Sequence, residues 1–223
     1  MDKSIYKSAL TSLIIQLIIG ILSLYGLSIK LENNQHILNE ILLLETIVQF
    51  IEFTFYIWLV FNFANIKVNV SLIRYFDWML TTPTMLFSVI CFFIYQNHKS
   101  ELLSLKSIFF DNLNTLSLIF SLNAFMLILG FLGEINIIKK YLATILGFFG
   151  LIGSYYLIYT NFVGDNLINN YLFWFNFILW SLYGVAYMFS FKNKNIFYNI
   201  LDVFAKNING LLILSYILYV KYY

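Results

Sequence analysis

The chain has 223 residues; 61% are hydrophobic, 20% are aromatic and only 11% are charged, for a formal net charge of +2. Soluble domains run near a quarter charged, so this composition excludes an ordinary globular domain and makes the lipid bilayer the expected partner. A charge of +2 gives no sign of nucleic acid, and none is expected as a partner.

A membrane-spanning helix needs about 20 apolar residues. Seven such stretches follow one another, at about 5–29, 40–64, 71–96, 108–132, 137–161, 168–191 and 196–220. The connections between them are short, which predicts antiparallel neighbours in one bundle spanning 1–223. One proline and the absence of short alternating segments exclude a β-barrel. The first stretch follows Lys3 and Lys7, is long enough to cross, and lacks a small-residue cleavage site, so no cleavable leader is expected. Cys91 stands alone, so neither a disulfide nor a cysteine metal site is expected. His36 and His98 lie in or beside loops, far apart, and offer no metal site.

Polar residues inside these stretches recur at helical spacing. The first carries Ser12, Gln16 and Ser23. The second carries Glu45, Gln49, Glu52 and Tyr56. The third carries Arg74, Asp77, Thr81, Thr84 and Ser88. The seventh carries Asn195, Asn199, Asp202, Lys206 and Asn209. Steps of three and four place each set on one helix face. Hydrogen bonding between helices accounts for Ser12, Ser23 and Thr84. It does not account for six ionisable groups at depth, which mark a pathway or a ligand's counter-ion.

Lys206 is the most telling of them. A lysine in mid-membrane costs several kcal/mol, and it persists when it is paired or chemically used. One use is condensation with an aldehyde to a Schiff base, which a dry pocket favours. Asp202 lies four residues earlier on the same face and is placed to act as counter-ion.

Three segments carry a family resemblance: Arg74-Tyr75-Phe76-Asp77-Trp78-Met79-Leu80-Thr81-Thr82-Pro83, Trp180-Ser181-Leu182-Tyr183-Gly184-Val185-Ala186-Tyr187, and Leu201-Asp202-Val203-Phe204-Ala205-Lys206. They resemble the retinal-binding signatures of microbial rhodopsins, in the same helix order. The resemblance implies an all-α membrane protein, a seven-helix bundle with retinal in its core. It implies all-trans retinal as a protonated Schiff base on Lys206, with Asp77 and Asp202 as counter-ions and Arg74 beneath them. Trp78, Thr81, Thr82, Met85, Trp180, Tyr183 and Tyr187 match the pocket of that family, as do Asn123, Met126 and Gly130 on the fourth helix. Gly147 and Gly150 are expected to leave space from the fifth stretch. Trp58 and Trp174 are expected to be ordinary core residues.

The same resemblance implies light-driven ion transport or sensing, with no enzymatic step. Proton pumps of the family have an acceptor like Asp77 and, when efficient, a carboxylic donor where Ser88 stands. They often carry acidic groups at the outer end of the last helix, which here holds Lys192, Lys194, Asn195 and Asn199. Sodium pumps need a different triplet from Asp77, Thr81 and Ser88, and chloride pumps lack the Asp77 carboxylate. Gly184 stands where pumps usually have proline, which predicts a different bend. Ser12, Gln16, Glu52, Asn199 and Asn207 resemble the polar set of rhodopsins from algae-infecting giant viruses, in the branch read as light-gated cation channels. Channels need negative or carbonyl ligands along a wetted path, and Glu45 and Glu52 supply charge of that kind. The expectation is a light-gated channel for monovalent cations or protons; an outward proton pump and a sensory photoreceptor are the alternatives. Homo-oligomers are common in such families.

The family places the amino terminus outside. That end then holds Lys3, Lys7, Lys67, Lys139, Lys140, Lys192 and Lys194, against Lys30, Lys99, Lys106 and Lys221 at the other. The positive-inside tendency favours the reverse; the three motifs are the more specific signal.

Overall fold

The computed structural model describes residues 2–222, and every regular element among them is helical. Helix α1 (Lys3–Leu27) starts at Asp2, whose carboxylate accepts the Ser4 amide at 2.7 Å, a standard cap for the free amides of a first turn. Helix α2 spans Ile37–Phe61 and α3 spans Val70–Asn97, capped by Asn69. A short α4 (Leu105–Asp111), opened by a Ser104–Ser107 capping box, leads into α5 (Leu113–Glu134). Helix α6 (Lys140–Ile158) widens into a π turn at Tyr159–Val163 and stops at Gly164, whose φ of 64° suits glycine. Helix α7 spans Leu167–Tyr187. The last rod is α8 (Phe191–Asp202), a π turn at Val203–Ile208, and α9 (Asn209–Tyr222).

These make seven rods, one for each apolar stretch, with ends shifted by a few residues. The last begins earlier than expected, because Lys194 and Asn195 are buried and helical rather than part of a loop. Six of the rods are long and apolar enough to cross a membrane by composition. Helix α7 falls short because Asn169, Asn170 and Asn176 dilute its leucine and phenylalanine. The last rod packs against α1, α2 and α7 and so closes the ring. Apolar side chains such as Ile21, Phe50, Phe149 and Tyr171 are exposed on the outer surface, where a bilayer would cover them.

The polar stripes point inward. Ser12, Gln16 and Ser23 share the buried face of α1 with Ala9 and Ile19, and Glu45, Gln49, Glu52 and Tyr56 are buried on α2. Two expectations fail here. Thr84 turns out of the α3 stripe and bonds Leu80 O within its own helix. Trp174 is 51% exposed on the outer surface rather than in the core; its neighbours are the rings of Tyr159, Phe173 and Phe177. Pro83 sits inside α3 without ending it. Helix α7 runs unbroken through Gly184, where the Phe148 ring lies so close that an added Cβ would stand 2.7 Å from it.

Candidate functional site

Lys206 lies in the π turn of the last rod and is 1% exposed. Its ammonium donates to Asp77 Oδ2 at 2.6 Å, forming a buried ion pair between that turn and α3. Such a pair is stable only with close geometry, because both charges have left water. Asp77 Oδ1 has no partner.

Asp202 is placed differently from the expectation. It accepts from Tyr56 at 2.8 Å, Tyr183 at 2.8 Å and Arg74 at 2.7 Å. Its ion pair is with Arg74; that of Lys206 is with Asp77. Three donors engage both oxygens of the Asp202 carboxylate and clamp α2, α3, α7 and α8 together. Arg74 is fully buried and also donates to Asn199 Oδ1. Its guanidinium lies 5.0 Å from the Phe55 ring centre and 5.7 Å from that of Tyr198, close enough for cation–π attraction.

Beside Lys206 opens an apolar cavity with few polar groups on its wall, the usual character of a small-molecule site. Trp78, Thr82 and Met85 of α3 line it, with Met126 and Gly130 of α5, Gly147 of α6, and Trp180, Tyr183 and Tyr187 of α7. Trp78 meets Tyr183 and Tyr198 edge-on, with centroids 5.7 and 5.0 Å apart. Tyr187 donates to Gly130 O at 3.1 Å and ties α7 to α5.

Three expected pocket residues act from behind the wall. Thr81 turns its hydroxyl back to Asp77 O at 2.9 Å, the usual choice of a buried helical threonine. Asn123 donates to Thr82 Oγ1 at 2.8 Å and holds it in place. Gly150 faces α5 instead, where an added Cβ would stand 2.7 Å from Leu122 O. Conversely Tyr75, Phe148, Leu151 and Tyr198 line the cavity without having been singled out. The spacing of Tyr198, one turn before Asp202, was the available signal for that residue.

A second polar system begins one residue beyond Lys206. Asn207 donates to Glu52 Oε2 at 3.0 Å, and Gln16 donates to Glu52 Oε1 at 3.1 Å. Glu52 is fully buried and bridges α1, α2 and the last rod. Nearby, Ser12 donates to Asn199 O at 2.7 Å, and Asn199 donates to Ser8 at 2.8 Å. Gln16, Glu52 and Asn207 thus form one bonded set, and Ser12 and Asn199 another. Glu45 and Ser88 form a separate pair, the hydroxyl donating to the carboxylate. This alters an inference from sequence: α3 lacks a carboxyl at Ser88, but α2 delivers one to the same place.

Glu134 was missed altogether. It accepts two bonds from the buried Lys194, at 2.6 and 2.7 Å, and one from Asn69 at 2.9 Å. Lys192 pairs with Asp2 at 3.0 Å. Two of the seven lysines counted at that end are therefore neutralised, which weakens the charge asymmetry along the bundle.

A family model of bacteriorhodopsin-like proteins matches residues 6–220. Among solved structures, the chain is similar to a viral rhodopsin, OLPVRII, with a TM-score of 0.84 and 29% identity over 98% of this chain and 99% of that one. The proton-pumping rhodopsin AR2 from the marine alga Acetabularia acetabulum gives 0.75 and 20% over 96% and 94%. A thermophilic rhodopsin from Rubrobacter xylanophilus gives 0.77 and 17% over 97% of each chain. The latter two likenesses concern the fold alone. No curated protein sequence matches this chain.

Proposed function

The chain belongs to the bacteriorhodopsin-like family, and on that premise we propose that it is a light-gated cation channel with retinal on Lys206. Members of the family bind retinal through a Schiff-base lysine. The residues present fit such a group. Lys206 supplies the one amine on the cavity wall, and the rest of the lining is aromatic, aliphatic, methionine, glycine or threonine. Retinal held there supplies light absorption and a light-driven change of shape.

The protein's own residues do the rest. Asp77 holds the positive nitrogen of Lys206 at 2.6 Å. Asp202, held from three sides by Arg74, Tyr56 and Tyr183, fixes the floor beneath it rather than moving. Trp78 and Trp180 confine the cavity from α3 and α7. Any displacement of the backbone at Lys206 is shared by Asn207, and Asn207 is bonded to Glu52.

That bond is the observation that carries the channel reading. A fully buried carboxylate, held only by two neutral amides, sits beside the residue that light would move. Releasing Asn207 frees an oxygen of Glu52 to replace part of a cation's hydration shell. The bilayer-embedded chain is proposed to lie with its amino terminus outside, as the family motifs imply. The test is light-evoked current in voltage-clamped cells supplied with retinal. A current that reverses at a potential set by the cation gradient supports the channel. Outward current at every voltage overturns it.

One observation favours a second reading, an outward proton pump: Glu45 stands at Ser88 and could return a proton toward Lys206. In that case Glu45→Gln slows recovery of the dark state at least about a hundredfold, the low end of what a positioned proton-transfer group contributes. In a channel the same change leaves recovery within about twofold, because no proton-transfer group has been lost.

A further inference from the structure

Four polar side chains form the buried face of α2, and three of them have a hydrogen-bond partner on another helix, although Glu45 Oε2 has none. Tyr56 donates to Asp202, Glu52 accepts from Gln16 and Asn207, and Glu45 accepts from Ser88. The fourth, Gln49, is 3% exposed, and neither its amide nitrogen nor its oxygen has a partner. Ser23 on α1 is fully buried, and its hydroxyl is also without a partner.

The two groups converge on one point of the last rod. A Cβ built on Gly210 would collide with the Gln49 amide nitrogen and would stand 3.7 Å from Ser23 Oγ. Glycine inside a helix is unfavourable compared with alanine, and here its bare backbone is what makes room for the amide. Buried amides and hydroxyls are almost always hydrogen-bonded. An amide and a hydroxyl left bare at the same spot, beside a glycine, point to a polar guest that comes and goes.

We propose that Gln49, Ser23 and the backbone of Gly210 form a further station of the cation path, between the carboxylates of Glu52 and Glu45. This rests on the channel reading. Glu45 and Glu52 are seven residues apart on one helix face, or roughly 10 Å along the axis. One cation cannot touch both. Conduction through weak sites in series needs an intermediate ligand; the Ser23 hydroxyl and the Gln49 amide are the neutral groups at that point, the amide presenting its nitrogen to Gly210 and having no hydrogen bond to stop it turning its carbonyl oxygen there instead. Neutral ligands between two charged ones let the ion pass without being trapped.

The experiment compares wild type with Gln49→Leu, Gly210→Ala and Ser23→Ala, as light-evoked current per retinal-bearing molecule with sodium or potassium as the permeant ion. None of the three positions lines the retinal cavity, so an unshifted visible band certifies each variant as folded. Gln49→Leu removes both polar ends at similar volume and is expected to cut current at least tenfold. Gly210→Ala drives a methyl into the amide and is expected to cut it several-fold. Ser23→Ala is expected to change the sodium-to-potassium reversal potential. If Gln49→Leu loses its visible band, the other two variants decide. If wild type conducts passively and the folded variants match it in current and reversal potential, this station is wrong while the channel stands. If wild type drives outward current at all voltages, the channel reading falls and the station falls with it.

Discussion

Removing the Glu134 carboxylate should destabilise the protein more than removing its partner Lys194. The two side chains are 6% and 5% exposed and meet at 2.6 Å. At that distance and an effective dielectric of 20 their attraction is about 6 kcal/mol before desolvation is subtracted. Breaking a buried pair from one side costs about 3–5 kcal/mol, because the survivor stays buried and unpaired. The survivors differ. After Lys194→Met, Glu134 keeps the Asn69 amide at 2.9 Å. After Glu134→Gln, Lys194 loses its carboxylate and shares the Tyr187 ring with another cation, Lys140, the two ammonium groups lying 5.7 and 5.2 Å from the ring centre. Glu134→Gln should therefore fall at the upper end of about 3–5 kcal/mol and Lys194→Met at or below the lower end. The double variant should cost less than the sum of the two, with a coupling of at least ~2 kcal/mol. In a chain of this length each kcal/mol moves Tm by about 2–4 °C, so Glu134→Gln should lose roughly 10 °C or more. Thermal unfolding in lipid nanodiscs, followed by tryptophan fluorescence, reads it directly. A larger loss in Lys194→Met, or strictly additive losses, would refute the electrostatic account.

The other expectations concern the light-sensitive centre. Lys206→Ala should give a colourless protein in retinal-supplemented cells; a visible band that survives, and resists hydroxylamine, would exclude the linkage. Asp77→Asn removes the charge 2.6 Å from the Lys206 nitrogen, an uncompensated loss of about 3–5 kcal/mol. Absorption spectroscopy should then show the band moved to longer wavelength or collapsed to the near ultraviolet, and an unchanged spectrum would assign the role to Asp202. Glu52→Gln keeps the shape but replaces one carboxyl oxygen, a ligand for the cation, with an amide nitrogen that cannot coordinate it. Photocurrent should fall at least tenfold or change selectivity with the absorption band in place. Full current with unchanged selectivity would exclude Glu52 as the ion's ligand.

The spans and the family motifs were legible because they are local. Twenty apolar residues in a row, or Asp202 one turn before Lys206, are properties of one segment. The stripes also showed which faces turn inward, since three-four spacing survives any packing. What could not be read was which stripe meets which. Asp202 stood at helical spacing from Lys206, yet Arg74, Tyr56 and Tyr183 converge on it from three other helices. Ser88 looked bare because its carboxyl arrives from α2, forty-three positions away. Glu134 was passed over because its pairing with Lys194 spans sixty positions. Thr81 and Asn123 matched a pocket pattern, but a hydroxyl or amide in a helix has its own backbone and neighbours as rival partners, and those won.

The widened turn at Val203–Ile208 has a mechanical consequence. In a regular α-helix, consecutive side chains diverge by about 100°, so a motion at one residue is dispersed to unrelated neighbours. Here Ala205, Lys206 and Asn207 are all buried. Lys206 is fastened to α3 through Asp77, and Asn207 to α2 through Glu52. The turn thus behaves as a bell crank: a pull on one arm becomes a push on the other, across a single peptide bond. Its pivot is compliant because a π turn breaks the regular hydrogen-bond ladder of the flanking helix. On the proposed channel reading, the regular lengths of α8 and α9 on either side would let the turn move and a narrow seam open without rearranging the outer surface.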